Sequence, residues 1–328
     1  MPLLEGRQQI AIKQEATAGT AETLAAANVV LHKGVATWEP DVQTVPREGM
    51  SAALSGFGSV IGSRAATIRF AMYLRGTTGA PVASSNEPDF SVPLKACGAN
   101  ITVSGGGPNE QSSFKPSSTT ISDETTGAYS TIALYEDGKR YMIHGAVGNC
   151  VLTCATGAPV LAEFEFKGVF NTPTDATLLV PTYPTVIEPA FLAASLSVIG
   201  SYTTARISSL RLDFGNTISM RPNPNGAAGW LSAQITGRKP VGSFDPEEVL
   251  VSGKDWFAEW IAATTGAITT GVFPSGGTNY NQLSLTVPKA QYTKVGLAAR
   301  DGIATAPHDF ECVRNSDAGD DEWELIQT

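Results

Sequence analysis

The feature that most constrains this chain is a strict alternation of apolar and polar residues, written in short runs along its length. In AEFEFKGVF (162–170), Phe164 and Phe166 alternate with Glu163 and Glu165. Only an extended strand sends such residues to opposite faces, so one face must be covered and the other left to water or a polar neighbour. The same pattern recurs in ATIRFAMYLRG (66–76), SSLRLDFG (208–215), WLSAQITG (230–237) and NQLSLTV (281–287). Near the end, HDFECVRN sets Phe310, Glu311 and Cys312 in the places of Phe164, Glu165 and Phe166. STIALYEDGKRYMIHG (130–145) reads as a hairpin, because Asp137-Gly138 accepts the positive φ angles of a type I′ turn.

Helix signals are few and short. In FSVPLKACG (90–98), Ser91 is suited to cap, Pro93 to the first turn and Gly98 to the stop. In DWFAEWIAATTG (255–266), Trp256 and Trp260 are four apart and read as a core-facing pair. Each helix follows an alternating strand and precedes a final hairpin. The order strands, helix, strands therefore occurs twice, and Gly76 with Gly237 and Gly98 with Gly266 are the matching landmarks. This predicts a mainly β chain of two tandem β-sandwich domains, each with one short flanking helix. The first spans 1–172, with exposed Gly/Ser-rich loops at 46–64 and 104–128. A proline-rich linker follows at 173–189, and the second domain spans 190–328.

Only 16% of the 328 residues are charged, against about 25% in an ordinary soluble domain. Such a surface suits a protein whose faces are covered in the working state. The net charge of −9 argues against tight binding to nucleic acid through phosphates, which needs clustered Lys and Arg. The N-terminal stretch shows no basic segment followed by an apolar one, so no secretory signal is expected. No apolar run is long enough to predict a membrane span. Cys150 and Cys154 on one strand face are too far apart to bridge, and with Cys97 and Cys312 they read as free buried thiols.

Enzyme chemistry finds no support. His32, His144 and His308 lack an accompanying nucleophile motif. Cys150-x-x-x-Cys154 has no second pair, and the acidic 315–328 segment lacks the Gly and closing Glu of a calcium loop. That segment reads as a solvated tail or an inter-subunit contact. GFGSVIG (56–62) neither follows a strand nor opens a helix, so it reads as a loop. No catalytic residue, cofactor or metal ligand is expected.

Several stretches resemble phage major tail proteins, the subunits of the tail tube: QIAIKQEATAGTA (9–21), FSVPLKACGA, YSTIALYEDGKRYMIHGAVGN with APVLAEFEFKGVFN, LRLDFGN, and most specifically ITGRKPVGSFDPEEV (235–249). The resemblance covers most of the chain. It implies sandwich domains that close into rings with an inner β-barrel, and rings that stack into a hollow conduit for genome delivery. Two tube domains per chain imply three chains for a six-domain ring; one per chain would imply six. Phe164, Phe166 and Phe310 would then face domain cores. Met50, Leu54, Phe57, Val60 and Ile61, five large apolar groups in a Gly/Ser frame, would form an inter-ring or inter-subunit contact. The implied partners are further copies of the chain, the tape measure, tail terminator and distal tail proteins, and genomic DNA passing through the lumen without specific binding. The implied location is the virion tail, after assembly in the host cytoplasm. Other readings are a decoration or baseplate component, or a glycan-binding module using Trp230, Trp256, Trp260 and Tyr280.

Overall fold

The computed structural model describes residues 3–52, 55–80, 86–105, 110–125, 127–277 and 279–328. In chain order its strands are β1 (Gln8–Gln14), β2 (Val29–Val30), β3 (Lys33–Val45), β4 (Val60–Tyr73), β5 (Ala99–Ser104), β6 (Gln111–Pro116), β7 (Ser130–Glu136), β8 (Lys139–Ala155), β9 (Leu161–Phe170) and β10 (Thr174–Asp175). The second half adds β11 (Ser209–Asp213), β12 (Asn216–Pro222), β13 (Trp230–Arg238), β14 (Val241–Phe244), β15 (Thr265–Thr269), β16 (Leu283–Val295), β17 (Ala298–Arg300), β18 (Ile303–Thr305), β19 (His308–Cys312) and β20 (Glu324–Gln327). The helices are α1 (Ser91–Ala96), α2 (Ser118–Ser122) and α3 (Trp256–Ile261). The fold is mainly β, as the alternation requires. Among the described residues no helix is long and apolar enough to cross a membrane.

One antiparallel path organises the molecule: β3-β4-β9-β8-β11-β14-β19-β16. Continuous rows of paired residues cross it, although β3–β4, β8–β9 and β16–β19 each carry a register shift. Lys33, Ala71, Glu163, Val151, Asp213, Val241, Glu311 and Gln291 stand side by side on the outward face. Met72, Ala162, Leu152, Leu212, Gly242, Phe310 and Tyr292 form the adjacent inward row. Period-two alternation thus becomes a sheet with one wet and one dry face. Among the described residues the sheet does not close on itself; β3 and β16 end this path, and β16 also pairs with β15 and β20.

The path contains one pattern twice. In the first half the strand before α1 pairs with the Phe-Glu-Phe strand, which pairs with the long strand before it (β4-β9-β8). In the second half β14-β19-β16 repeats this order about α3. The halves are joined at β8–β11 and again where β20 pairs with β6. A single apolar core runs through both, with Phe164, Phe166, Phe310 and Trp256 all buried.

Several expectations need correction. The first half carries two helices rather than one, because Ser117 caps the short α2. That helix and β6 lie in the 104–128 segment expected to be an exposed loop; Phe114 of β6 is fully buried. Val60 and Ile61 belong to β4 rather than to a loop. The acidic end is not a solvated tail. Trp323 stacks on Phe214 at 4.0 Å, Leu325 is buried, and Arg238 binds Asp320 and Glu322 at 2.9 Å each. Trp260 is not a core residue: it is 36% exposed while Trp256 is 1%. The helix is only six residues long and buries Trp256 alone, while Trp260 and Ile261 in its last turn are exposed. Finally, the pairings match Gly237 to Ala65 rather than to Gly76, since Phe70 and Gly242 occupy equivalent places beside Phe164 and Phe310.

Candidate assembly surfaces

The outward face of the eight-strand path is a mosaic of paired charge. Arg69 contacts Glu39 at 2.5 Å and Glu165 at 3.1 Å. Lys167 reaches Asp41 at 3.2 Å, Arg211 reaches Asp213 at 3.5 Å, and Lys239 reaches Glu311 at 3.0 Å. Lys33 instead covers the Tyr73 ring, 4.7 Å from its centroid. Exposed pairs like these add little stability. Their consequence is electrostatic: a phosphate approaching this face must displace a resident carboxylate to reach Arg69, Lys167, Arg211 or Lys239. A shallow groove of about 500 Å³ crosses the face, lined by Lys33, Arg69, Asn149, Glu163, Glu165 and Asp213.

Each end of the path has a stretch without an outer strand partner among the described residues. Among the described residues β3 pairs only with β4. The Ala36 N–H donates to the Gln8 side-chain carbonyl at 2.9 Å, a side chain substituting for a strand. At the other end β16 is flanked on its outer side by β15, while β20 lies on the same side as β19, and the outer pairing stops at Gln291. Beyond it the Gly296 N–H donates to the Pro307 carbonyl at 2.9 Å on the β19 side, so the strand's alternation turns the polar groups of Val295 and Leu297 outward.

The β3–β4 hairpin projects from the body. Val42, Val45, Val60 and Ile61 are exposed along it, and Met50 beyond it is fully exposed. Phe57 is half exposed beneath the Arg47 guanidinium, 5.5 Å from its centroid. Leu54 lies outside the described residues. The corresponding hairpin of the second half, β12–β13, is instead folded back onto the first half. Ala233 and Ile235 pack with Ala18, Ala128, Tyr129 and Val147. Glu15 builds the seat. Its buried carboxylate accepts from the Gly145 N–H at 2.7 Å, the Gly19 N–H at 2.9 Å and the Thr131 hydroxyl at 2.8 Å. Burial pushes its pKa up despite these donors. Nothing in the sequence signals this clamp, because a lone Glu after an alternating strand reads as surface.

The groups that ordinarily carry chemistry are committed to packing. His308 stacks on Phe244 and meets Trp256 and Tyr292 edge-on. Burial lowers its pKa to about 4; Nδ1 faces the Ala306 carbonyl, which fixes a neutral ring with its proton on that atom. Burial likewise lowers His32 and His144. All four cysteines are free and buried, with Cys154 and Cys312 pushed up to about 12. Trp256, one member of the aromatic set a glycan platform would use, is in the core. Among the described residues no cluster of His, Cys, Asp and Glu could hold a metal ion. Compared with known protein families and with curated proteins, the chain matches none.

Proposed function

We propose that this chain is a phage-type major tail tube protein, a structural subunit that polymerises into the hollow conduit for genome delivery. Two tube-type sandwich units are fused in one polypeptide, the first built around β4-β9-β8 and the second around β14-β19-β16. The observation that carries this reading is the eight-strand path. It is made of two four-strand sets with related pairing, joined edge to edge, and among the described residues it leaves β3 and the Tyr292–Val295 end of β16 without an outer strand partner. Open edges of this kind are an aggregation hazard unless assembly completes them. A closed ring of identical subunits removes every one of them.

Ring closure puts the outward face on the lumen. With its cations neutralised in place, that wall lets DNA slide without specific binding, which fits the acidic balance of the whole chain. Three chains supply six four-strand sets, a trimeric pseudo-hexamer. Tape measure, terminator and distal tail proteins are the remaining partners, and the virion tail is the site of action. Negative-stain microscopy of the purified protein tests the reading. Rings or long hollow tubes are expected; a persistent monomer at high concentration, together with absence from purified particles, overturns it.

A further inference from the structure

The internal joint between β8 and β11 is a template for a joint between copies. Equivalent positions follow from the pairings. Matching Phe164 to Phe310 sets Val151 with Lys294 and Leu152 with Val295. Matching Phe70 to Gly242 sets Arg69 with Val241, and so Thr37 with Asp213 and Val42 with Ile218. Within the chain, Val151 stands beside Asp213 and Leu152 beside Leu212. The equivalents of these partners, Lys294 and Val295 on β16 and Thr37 with the bulged stretch before it on β3, have no outer strand partner among the described residues; the Ala36 N–H there is held by the Gln8 side chain, which a joining strand displaces.

We propose that the Lys294–Leu297 edge of one copy pairs antiparallel with the Lys33–Trp38 edge of the next, Lys294 lying beside Thr37. The occupant of each edge is thus a second copy of this chain, and the proposal rests on the tube reading above. The phase of the polar groups agrees. On β8 the Cys150 carbonyl accepts from the Phe214 N–H and the Thr156 N–H donates to the Ser208 carbonyl, so alternate residues 150, 152 and 154 face β11. Val295, the equivalent of Leu152, faces outward in the same way. The direction agrees too. Eight strands antiparallel to their neighbours leave the first and last running oppositely, so joining them continues the alternation.

The hairpins supply an independent argument. Val42 and Ile61 correspond to Ile218 and Ala233 of β12–β13. Ala233 is 0% exposed against the first half, whereas Ile61 is 58% exposed with nothing over it. Docked on the neighbour at the edge β3 joins, the β3–β4 hairpin covers these side chains just as its counterpart is covered within the chain. Val60 and Ile61 then belong to a contact between subunits of one ring. Three copies so joined line the ring with roughly two dozen strands, a backbone circle roughly 45–50 Å across at ordinary strand spacing and tilt.

The test is cysteine cross-linking of the full chain under mild oxidation. Residues directly opposite across a strand pair have Cβ atoms about 4.5–5.5 Å apart, close enough for a bridge or a short bismaleimide. The variant carrying both Thr37→Cys and Lys294→Cys should give a ladder of covalent oligomers. Each single variant should give none, and a mixture of the two single variants should stop at dimers. Val151→Cys with Asp213→Cys should bridge within one chain and serves as the positive control. A ladder with this pattern supports the pairing. If the control bridges and microscopy shows rings, but no ladder forms, the pairing is overturned while the tube reading stands. If neither rings nor ladder form, both fall.

Discussion

The seat of the β12–β13 hairpin allows a paired experiment in which backbone strain is held constant. Gly19 and Gly157 both adopt a positive φ, +76° and +84°. Alanine at either position meets the left-handed penalty of about 1–2 kcal/mol. Their surroundings differ. A Cβ at Gly157 has nothing within 4 Å, whereas one at Gly19 lies 2.3 Å from the Leu231 carbonyl oxygen and 3.2 Å from its carbon. Those are backbone atoms of β13, so relief requires the hairpin to slide off its seat, an overpacking cost of roughly 1–3 kcal/mol. Gly157→Ala should therefore lower stability by about 1–2 kcal/mol and Gly19→Ala by about 2–5 kcal/mol. Urea unfolding measures the gap, with tryptophan fluorescence reporting on Trp230 beside the contact. Adding Leu231→Ala should not rescue Gly19→Ala, since the nearest atoms are main-chain. Equal losses for the two alanine variants, or rescue by Leu231→Ala, would refute the backbone-seat argument.

Other outcomes follow from buried charge and thiols. Arg75 is buried between Asp89 (3.1 Å) and Glu188 (3.0 Å), so Arg75→Ala should destabilise by about 3–5 kcal/mol at pH 7. Burial raises Asp89 to about 6. Its contribution is full below the unfolded carboxylate pKa and is lost as pH rises through about 6, so the Arg75→Ala defect should shrink at pH 5 in urea titrations. His308 works in the opposite sense. Its neutral form is favoured in the fold, so its contribution is present above about 6.5 and is lost as pH falls toward about 4. His308→Phe should be less destabilised by acid over that window, measured as the midpoint against pH. None of the four thiols should react with a disulfide reagent at pH 8 in the native protein, and all four should react in urea.

What could be read in advance was whatever a single strand or helix encodes by itself. Phe164, Phe166 and Phe310 lie in the core because alternation alone dictates their face. The hairpin at Asp137-Gly138 forms because its turn needs positive φ, which Asp137 and Gly138 supply at 38° and 105°. What escaped depends on partners far away in sequence. β6 is largely polar and becomes a strand only because β5 and β20 flank it. The acidic end is ordered by Phe214 and Arg238, neither of which its composition announces. Trp260 has the right spacing for a core pair, yet only Trp256 of the short α3 is buried. The apolar content of 46–64 marked the projecting hairpin, but open edges exist only once the order of strands is known.

The β8–β11 junction has a consequence for how variation is tolerated. In a cylinder of one-unit protomers, any substitution at the seam is copied into every seam at once. In the proposed ring a covalent tether would make every second seam unimolecular, formed as the chain folds and indifferent to concentration. Tethered and untethered seams would then be encoded by different residues, each free to drift or be re-engineered without disturbing the other.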